Sequence, residues 1–559
     1  MRPADYPPPW SDAEAIAPPG PPDEAIEVGV LVVGAGPAGL AAAIRLGQLM
    51  AADPEAAERL GEVPVAIVEK GKAPGSHLLS GAVINPKPLY SLLEGLRAPG
   101  DVPSYGEVPG ESVQMLTASR ALPLPVPPTM RNHGNVIVSL SQLGRFLAEV
   151  AEEVGAMILP ETSAQQLLVD AGQVVGVRTG DKGRGREGEP LGRFEPGSDI
   201  RARVTILAEG TQGHLTGAAF DRFRLTGESP QTWALGVKEV WKVATPLRKI
   251  IHTMGWPLRS SARYREFGGS FIYPMGDDML TIGMVVGLDY TDAELSVHDL
   301  LQELKTHPRI RPLLEGGERV GWGAKTIPEG GFVALPQKLW APGVLITGDG
   351  AGLVNVPALK GIHYAIESGR LAAEAAWRAL APDGRTAWMP EYDESLRTSF
   401  VWSDLRKVRN MRQAFKHGFW VGGALASVET ATLGKLPLPD RPTERDSSHE
   451  VISSGRAAAY PVPDGTLTFD KLSSVFLSGN RTRDDQPNHV RVQTNVPAEI
   501  GELWVRMCPA AVYETEPAAD GLVRVKITPS NCVQCGAITA KGGRLTPPEG
   551  GSGPEYTLT

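Results

Sequence analysis

Val28-Gly-Val-Leu-Val-Val-Gly34-Ala-Gly36-Pro-Ala-Gly39 decides the fold. An apolar run of β type turns through glycines into an alanine-rich stretch, which predicts a helix over roughly 37–50. Gly34 permits the tight turn, and Gly36 lets the backbone approach a pyrophosphate. Gly39 lets helix and strand pack closely, and the helix N-terminus faces the phosphate charge. A second apolar run, Val65-Ala-Ile-Val-Glu69-Lys70, ends in the acid that would bind a ribose hydroxyl. The gap to Glu69 exceeds the usual ~20 residues, and an insertion over 50–61 accounts for it. The bland alternative is a glycine turn in another kind of α/β domain. The strand–turn–helix–strand context predicts an adenine-dinucleotide site instead.

Two downstream runs say which dinucleotide. Val204-Thr-Ile-Leu-Ala-Glu209-Gly210 and Gly343-Val-Leu-Ile-Thr-Gly348-Asp349-Gly350 are further strands that end in small residues. A strand ending Gly-Asp suits an FAD site, where the Asp reaches the ribityl chain. Residues 348–352 could instead be a second dinucleotide turn, but no strand with a terminal acid follows them. With a single nucleotide domain, NAD(P)H is not the expected donor. Electrons then come from a bound substrate or another protein.

The chain has 559 residues, 42% of them apolar and 21% charged. That length suffices for about three or four domains, or for one large interleaved unit. A net charge of −9 argues against general nucleic-acid binding. No run of apolar residues is long enough for a spanning helix, and the N-terminal stretch has no secretory-signal pattern. Residues 1–26 are proline-rich and acidic, and are expected to form a disordered or wrapped tail. The three cysteines are Cys508, Cys532 and Cys535. A sparse, odd count excludes a disulfide framework, and their grouping is that of metal ligands.

Scattered strands make the dinucleotide domain discontinuous. Residues 181–198 read as a flexible loop. Residues 231–333 read as an antiparallel sheet carrying a substrate pocket. Asn355-Val-Pro357-Ala-Leu-Lys360-Gly361 precedes a helical run over 362–380. In 405–416, Arg406, Lys407, Arg409, Arg412 and Lys416 stand among apolar residues, and 419–433 then runs apolar with the single acid Glu429. Basic residues beside a short apolar stretch suit docking on anionic headgroups; a solvated helix followed by a core helix is the alternative. Residues 436–448 read as a linker, and the cysteines lie in a C-terminal module beyond it.

Several stretches resemble one family, that of electron transfer flavoprotein–ubiquinone oxidoreductase. They are His77-Leu-Leu-Ser80-Gly81-Ala82, Asn132-His-Gly-Asn135, His252-Thr-Met-Gly-Trp256-Pro257, Phe267-Gly268-Gly269-Ser-Phe271, Val285-Val-Gly-Leu-Asp-Tyr290, Asn355-Val-Pro357, Cys508-Pro-Ala-Ala-Val-Tyr-Glu514 and Pro548-Glu-Gly-Gly-Ser-Gly-Pro-Glu-Tyr556. The resemblance runs from about residue 28 to the end of the chain. It implies a discontinuous, Rossmann-like FAD domain of the glutathione-reductase type over 27–105, 139–222 and 340–400. It implies a quinone-binding antiparallel-sheet domain over 106–138 and 223–339, and a membrane-surface segment over 401–435. A linker over 436–454 and a ferredoxin-like iron–sulfur domain over 455–559 complete the expectation.

The implied reaction passes electrons from reduced electron transfer flavoprotein to ubiquinone or another membrane quinone. The implied protein lies on a membrane surface without crossing it, at the cytoplasmic face of the inner membrane in a bacterium. Gly34, Gly36, Gly39, Glu69, Lys70, Ser80, Gly81, Gly210, Gly348, Asp349, Pro357 and Gly361 are the expected FAD contacts. His77 is expected near the isoalloxazine, although a lone His is more often structural. Pro357–Gly361 would aim a helix N-terminus at the flavin pyrimidine. Gly268 and Gly269 are expected against the quinone head, with a β-bulge or tight turn as the alternative. The family holds a [4Fe–4S] cluster on four cysteines, one before Pro-Ala and three in a C-x2-C-x2-C run. Here Cys508, Cys532 and Cys535 match, but Ile538 stands at the remaining position and the segment after it is shortened. Isoleucine cannot ligate iron, so that cluster is in doubt.

Two other readings remain from the residues. One is a flavin dehydrogenase or hydroxylase acting directly on a lipid or small molecule. The other is a non-catalytic flavin-binding docking protein, its C-terminal module empty or holding zinc on Cys508, Cys532, Cys535 and His489.

Overall fold

The computed structural model describes residues 1–432, 434–435 and 439–559. Leu433, at the end of the apolar run, and residues 436–438 of the expected linker lie outside the described residues.

The first strand, Ile26–Val33, is buried from Val28 onward. It pairs in parallel with Val65–Val68 on one side and with Asp199–Leu207 on the other. Val344–Ile346 adds in parallel to Asp199–Leu207. A central parallel strand is covered on both faces, so it reads as a continuous apolar run. Ala164–Asp170 and Gln173–Thr179 extend the same sheet as an antiparallel hairpin. Helices Pro37–Ala52 and Ile362–Ala379 pack together through alanine-rich surfaces. All four expected strands and both expected helices are present.

A second, seven-stranded sheet runs in the order Glu318–Pro328, Trp233–Lys242, Met279–Gly287, Gly268–Pro274, Ile250–Gly255, Glu111–Leu116, Ala121–Leu124. It is antiparallel as expected except at one seam, where Ile250–Gly255 runs parallel to Glu111–Leu116. That strand comes from far earlier in the chain, so no hairpin constrains its direction.

One local expectation changes, and two segments left open gain a structure. Residues 181–198 form a two-stranded hairpin, Lys182–Arg184 with Pro190–Glu195. The insertion over 50–61 carries a short helix, Pro54–Glu58, capped by Asp53. The N-terminal tail is wrapped: Ile16–Ala17 adds a parallel strand to the first sheet, and Pro3 is buried.

The cysteine region does not hang from a linker. Trp504, Cys508, Val533 and Ile538 share one buried core with Val237 and Trp322 of the second sheet. Within the described part of 436–454, Asp446 is buried and accepts the Trp233 N–H at 2.9 Å, and Thr443 donates to the Pro230 carbonyl. A three-stranded sheet, Asn495–Pro497, Leu522–Ile527 and Tyr513–Pro517, packs on helix Ala498–Met507.

Candidate functional site

One cavity of about 1280 Å³ runs from the first glycine turn across the face of the second sheet. Its inner end is lined by Gly34, Gly36, Glu69, Lys70, Gly210, Gly348 and Asp349. Its middle is lined by His77, Ser80, Gly81, Pro357 and Gly361, and farther along by Gly268 and Gly269. Gly39 alone of these expected contacts lies off the cavity. A Cβ there would stand 2.1 Å from the Gly34 carbonyl oxygen, so its role is the strand–helix contact.

The inner end suits a dinucleotide for reasons visible in its backbone. Gly34 has φ +105°, and a Cβ there would meet the Ala208 carbonyl at 2.5 Å. At Gly36 the nearest atom to a Cβ is Leu78 at 3.7 Å, so a side chain would project into the cavity. Gly36 and Gly361 are the N-caps of the two long helices, and neither helix has a side-chain cap. Their first N–H groups are therefore left for an anion or a ring oxygen. The Glu69 carboxylate is aimed by N–H bonds from Ala35 at 2.9 Å and Gly71 at 2.7 Å. Burial raises the Asp349 carboxyl from 3.8 to about 6, partly opposed by Lys325. A desolvated acceptor of this kind is satisfied by hydroxyl donors such as those of a ribityl chain. His77 is buried with neither ring nitrogen bonded, and desolvation holds it neutral. These groups fit FAD.

Sequence reasoning missed several charged and polar groups here. Lys238 is buried, and its Nζ donates to the Ser80 carbonyl at 2.7 Å. Desolvation lowers it from 10.5 to about 7. Lys325 donates to the Gln534 carbonyl at 3.1 Å and is lowered by burial to about 8. A signal for Lys238 existed: with Glu239 it interrupts the apolar runs 233–237 and 240–241 of the strand. His252 Nε2 and the Tyr273 hydroxyl lie 2.7 Å apart on neighbouring strands, and both line the cavity. Burial lowers His252 to about 3 and pushes the Tyr273 phenol up, so both are neutral.

At Gly268 and Gly269 the missing side chains have a different cause from the one expected. A Cβ at Gly268 would stand 2.0 Å from the Val285 carbonyl oxygen, and one at Gly269 would stand 2.4 Å from that of Thr253. Strand pairing already demands glycine at both positions.

The far end of the cavity opens between the strand Ala121–Leu124 and helix Phe419–Thr432, where Leu122 and Trp420 line it. Leu122 is 51% exposed and Trp420 is 70% exposed. Trp420, Val421, Ala424, Ser427 and Val428 form one exposed stripe of that helix, while Glu429 faces inward at 5% exposure. The expected headgroup role of Arg412 is corrected. Arg412 is buried, with ion pairs to Asp289 at 2.7 Å and Glu329 at 2.9 Å. Arg409 pairs with Asp440, and Lys416 donates to the Pro442 carbonyl. These three residues anchor the segment, and Arg406 and Lys407 remain on the surface. No helix among the described residues is long and apolar enough to cross a membrane.

The cavity reaches the cysteine region through Gln534 and Gly536. Cys508, Cys532 and Cys535 are free thiols and buried. The Val512 N–H donates to Cys508 Sγ at 3.5 Å, and the Gln534 N–H donates to Cys532 Sγ at 3.4 Å. Three thiols fall one short of the four thiolates a [4Fe–4S] cluster takes. Ile538 is 3% exposed in the short helix Ala537–Ala540. Among the described residues no three His, Cys, Asp or Glu side chains converge closely enough to hold a single metal ion. His489, the fourth residue of the zinc alternative, is buried and its ring is held neutral by desolvation.

Comparison with known proteins agrees with this geometry. A family model described as ETF-QO, ubiquinone-binding, matches residues 233–327. A second, described as electron transfer flavoprotein-ubiquinone oxidoreductase, 4Fe-4S, matches residues 465–557. The mitochondrial electron transfer flavoprotein-ubiquinone oxidoreductase of Arabidopsis thaliana is 40% identical over 560 residues, spanning 96% of this chain and 85% of that protein. The Pseudomonas aeruginosa protein of that name is 38% identical over 95% of this chain and 99% of its own. Among solved structures, a geranylgeranyl bacteriochlorophyll reductase-like protein of Thermoplasma acidophilum superposes with a TM-score of 0.52 at 19% identity. It covers 76% of this chain and 93% of its own, a likeness of fold. Identity of this extent over nearly the whole length leaves one assignment: the chain belongs to the electron transfer flavoprotein–ubiquinone oxidoreductase family.

Proposed function

We infer that the protein is an FAD-dependent oxidoreductase that takes electrons from reduced electron transfer flavoprotein and reduces ubiquinone. Its cofactors are FAD and an iron–sulfur cluster of the [4Fe–4S] type. The observation that carries this reading is the single cavity joining the dinucleotide turn to an exposed apolar rim. A hydrophobic quinone can enter from lipid at that rim and come up against the flavin end without crossing water.

The roles follow from position. The helix N-terminus after Gly36 holds the pyrophosphate, Glu69 the ribose and Asp349 the ribityl chain, with Gly34, Gly39, Lys70 and Gly210 shaping that end. Ser80, Gly81, Gly348, Pro357 and Gly361 frame the isoalloxazine, which supplies the one- and two-electron chemistry. Lys238 and Lys325 bring positive charge to a site that must accept electrons. The Gly268–Gly269 backbone edges the quinone subsite. Quinol formation consumes two protons, and the neutral His252–Tyr273 pair holds one at hydrogen-bond distance from the cavity.

The FAD, quinone-binding and membrane-surface parts expected from the sequence are kept, the described part of 436–454 docks on the second sheet instead of serving as a free linker, and a ferredoxin-like region over 455–559 carries the cysteines. The stripe of Trp420, Val421, Ala424, Ser427 and Val428 lies in a membrane surface, with Leu122 beside it. Apolar residues facing outward while the lone acid faces inward is the arrangement of an interfacial helix.

The test compares two acceptors under reduced electron transfer flavoprotein. One is a long-tailed ubiquinone in anionic vesicles, the other a water-soluble quinone analogue. Changing Val421→Asp and Val428→Asp together removes apolar contact outside the cavity. Turnover with vesicle-borne quinone should fall at least about tenfold, since burying one such side chain is worth about 1.5–3 kcal/mol. The soluble acceptor should be reduced as before, and NADH alone should reduce neither. Equal loss with both acceptors would remove the membrane reading, and brisk turnover with NADH would remove the electron-donor reading.

A further inference from the structure

We propose that the iron–sulfur cluster of this chain is held by three thiolates only, Cys508, Cys532 and Cys535. Its fourth corner, at Ile538, has no protein ligand, and the iron there is labile. This rests on the reading of the C-terminal region as cluster-binding and goes beyond it in the number and exchange of the irons.

The ligand count comes first. The entire 559-residue chain has three cysteines. A four-iron cube takes one protein ligand at each iron, and four thiolates are the rule.

The three remaining positions are still built as a cradle. All three thiols are buried in one core. The turns that carry them hold non-glycine residues in the left-handed region, Ala511 at φ +51° and Gln534 at φ +53°. Such positions cost on the order of 1–3 kcal/mol each and persist where the surroundings over-determine them. Here they direct N–H groups at sulfur, from Val512 to Cys508 and from Gln534 to Cys532. N–H donation of this kind stabilises sulfur that carries negative charge.

Charge is placed to match. Lys471 and Lys325 stand half-buried beside the turns that carry the cysteines. Lys471 is held by the Val505 and Arg506 carbonyls, and Lys325 by that of Gln534. None of these bonds neutralises the ammonium.

The fourth corner is different. Ile538 lies 3% exposed in hydrocarbon, and both it and Val492 stand where a side chain on Gly543 would go. The hydroxyl of Thr539 is engaged by the Leu545 N–H at 3.2 Å. Among the described residues no Asp, Glu or His joins the cysteines as a metal-holding group. A dry, apolar corner supplies neither a side-chain ligand nor room for a well-bonded water.

An iron without a fourth ligand leaves on oxidation. The [4Fe–4S]2+ core releases Fe2+ and gives one electron to an added oxidant, ferricyanide, leaving [3Fe–4S]+. The three bonds between that iron and its sulfides break, and the three iron–thiolate bonds stay. Dithionite with Fe2+ reverses the step.

The test uses the full chain reconstituted anaerobically with Fe2+ and sulfide, read by native mass spectrometry and by iron and sulfide content. Ferricyanide should release one iron per chain and leave a core of three irons and four sulfides, paramagnetic when oxidised. Dithionite with Fe2+ should restore the fourth iron. Ile538→Cys should keep four irons through the same treatment. A wild-type core that holds four irons against ferricyanide overturns the proposal, and so does a chain that assembles no iron and sulfide. In either case bound FAD with quinone reductase activity would leave the functional reading standing. A three-iron core in a protein without that activity would remove the functional reading and keep this inference.

Discussion

The proposed dinucleotide turn and the proposed cysteine cradle differ in what they are built from: the first has every glycine of its pattern, and the second has three cysteines where the family's cluster takes four. The turn binds through backbone. Gly34 and Gly39 are also demanded by packing, since side chains there would meet the Ala208 carbonyl at 2.5 Å and the Gly34 carbonyl at 2.1 Å. Losing such a residue would disrupt the fold itself. The cradle binds through side chains. At its fourth position an isoleucine packs with Val492 as well as any core residue would. Burial of hydrocarbon stabilises the core regardless of what the position once ligated. Sites made of backbone are protected by the fold, whereas sites made of side chains can be lost one residue at a time.

Three changes would break or sharpen this contrast. The largest effect is expected at Gly36. Gly36→Leu fills the cavity at the helix N-terminus, where only Leu78 lies near. The protein should fold and purify colourless in the flavin bands, with iron and sulfide still present. Full flavin content by absorbance in that variant would mean that the pyrophosphate does not lie there.

Cys535→Ser is the mirror image. It should abolish iron and sulfide while FAD stays stoichiometric, because the cradle shares its core with the second sheet and not with the first. Loss of flavin alongside iron would show the two sites to be energetically one.

The smallest effect concerns pH. The folded-state pKa of Asp349 is raised from 3.8 to about 6 by burial. Between these values the folded chain binds a proton that the unfolded chain has released. Stability of the flavin-free protein therefore falls as pH rises from about 4 to about 6, and stays lower above that. The drop is about 2–3 kcal/mol. Asp349→Asn should flatten this slope in thermal denaturation of the apoprotein. An unchanged slope would place the titration elsewhere.

Legibility followed the range of the interactions. Strands Ile26–Val33, Val65–Val68, Asp199–Leu207 and Val344–Ile346 were readable because the C-terminal part of each, nearest the cavity, is buried and largely apolar. The glycine turn was readable because Gly34, Gly36 and Gly39 lie within six residues. Lys238, Lys325 and the His252–Tyr273 pair were not, since each acts only where strand register brings it to the cavity. Arg412 misled for the same reason. In the chain it stands among basic residues, and its carboxylate partners Asp289 and Glu329 lie more than eighty residues away.

The sequence by itself determined that a Rossmann-type turn opens the chain, that Asp349 ends a strand, and that only three thiols exist to hold iron. Each is a property of local pattern or of counting. The tertiary structure decided which charges are buried, that the turn and Gly268–Gly269 line one cavity, and that both of those glycines are required by the neighbouring strands. It also decided that Ile538 is buried beside Val492. Those outcomes depend on desolvation and on contacts between distant segments, and neither is encoded in the spacing of residues along the chain.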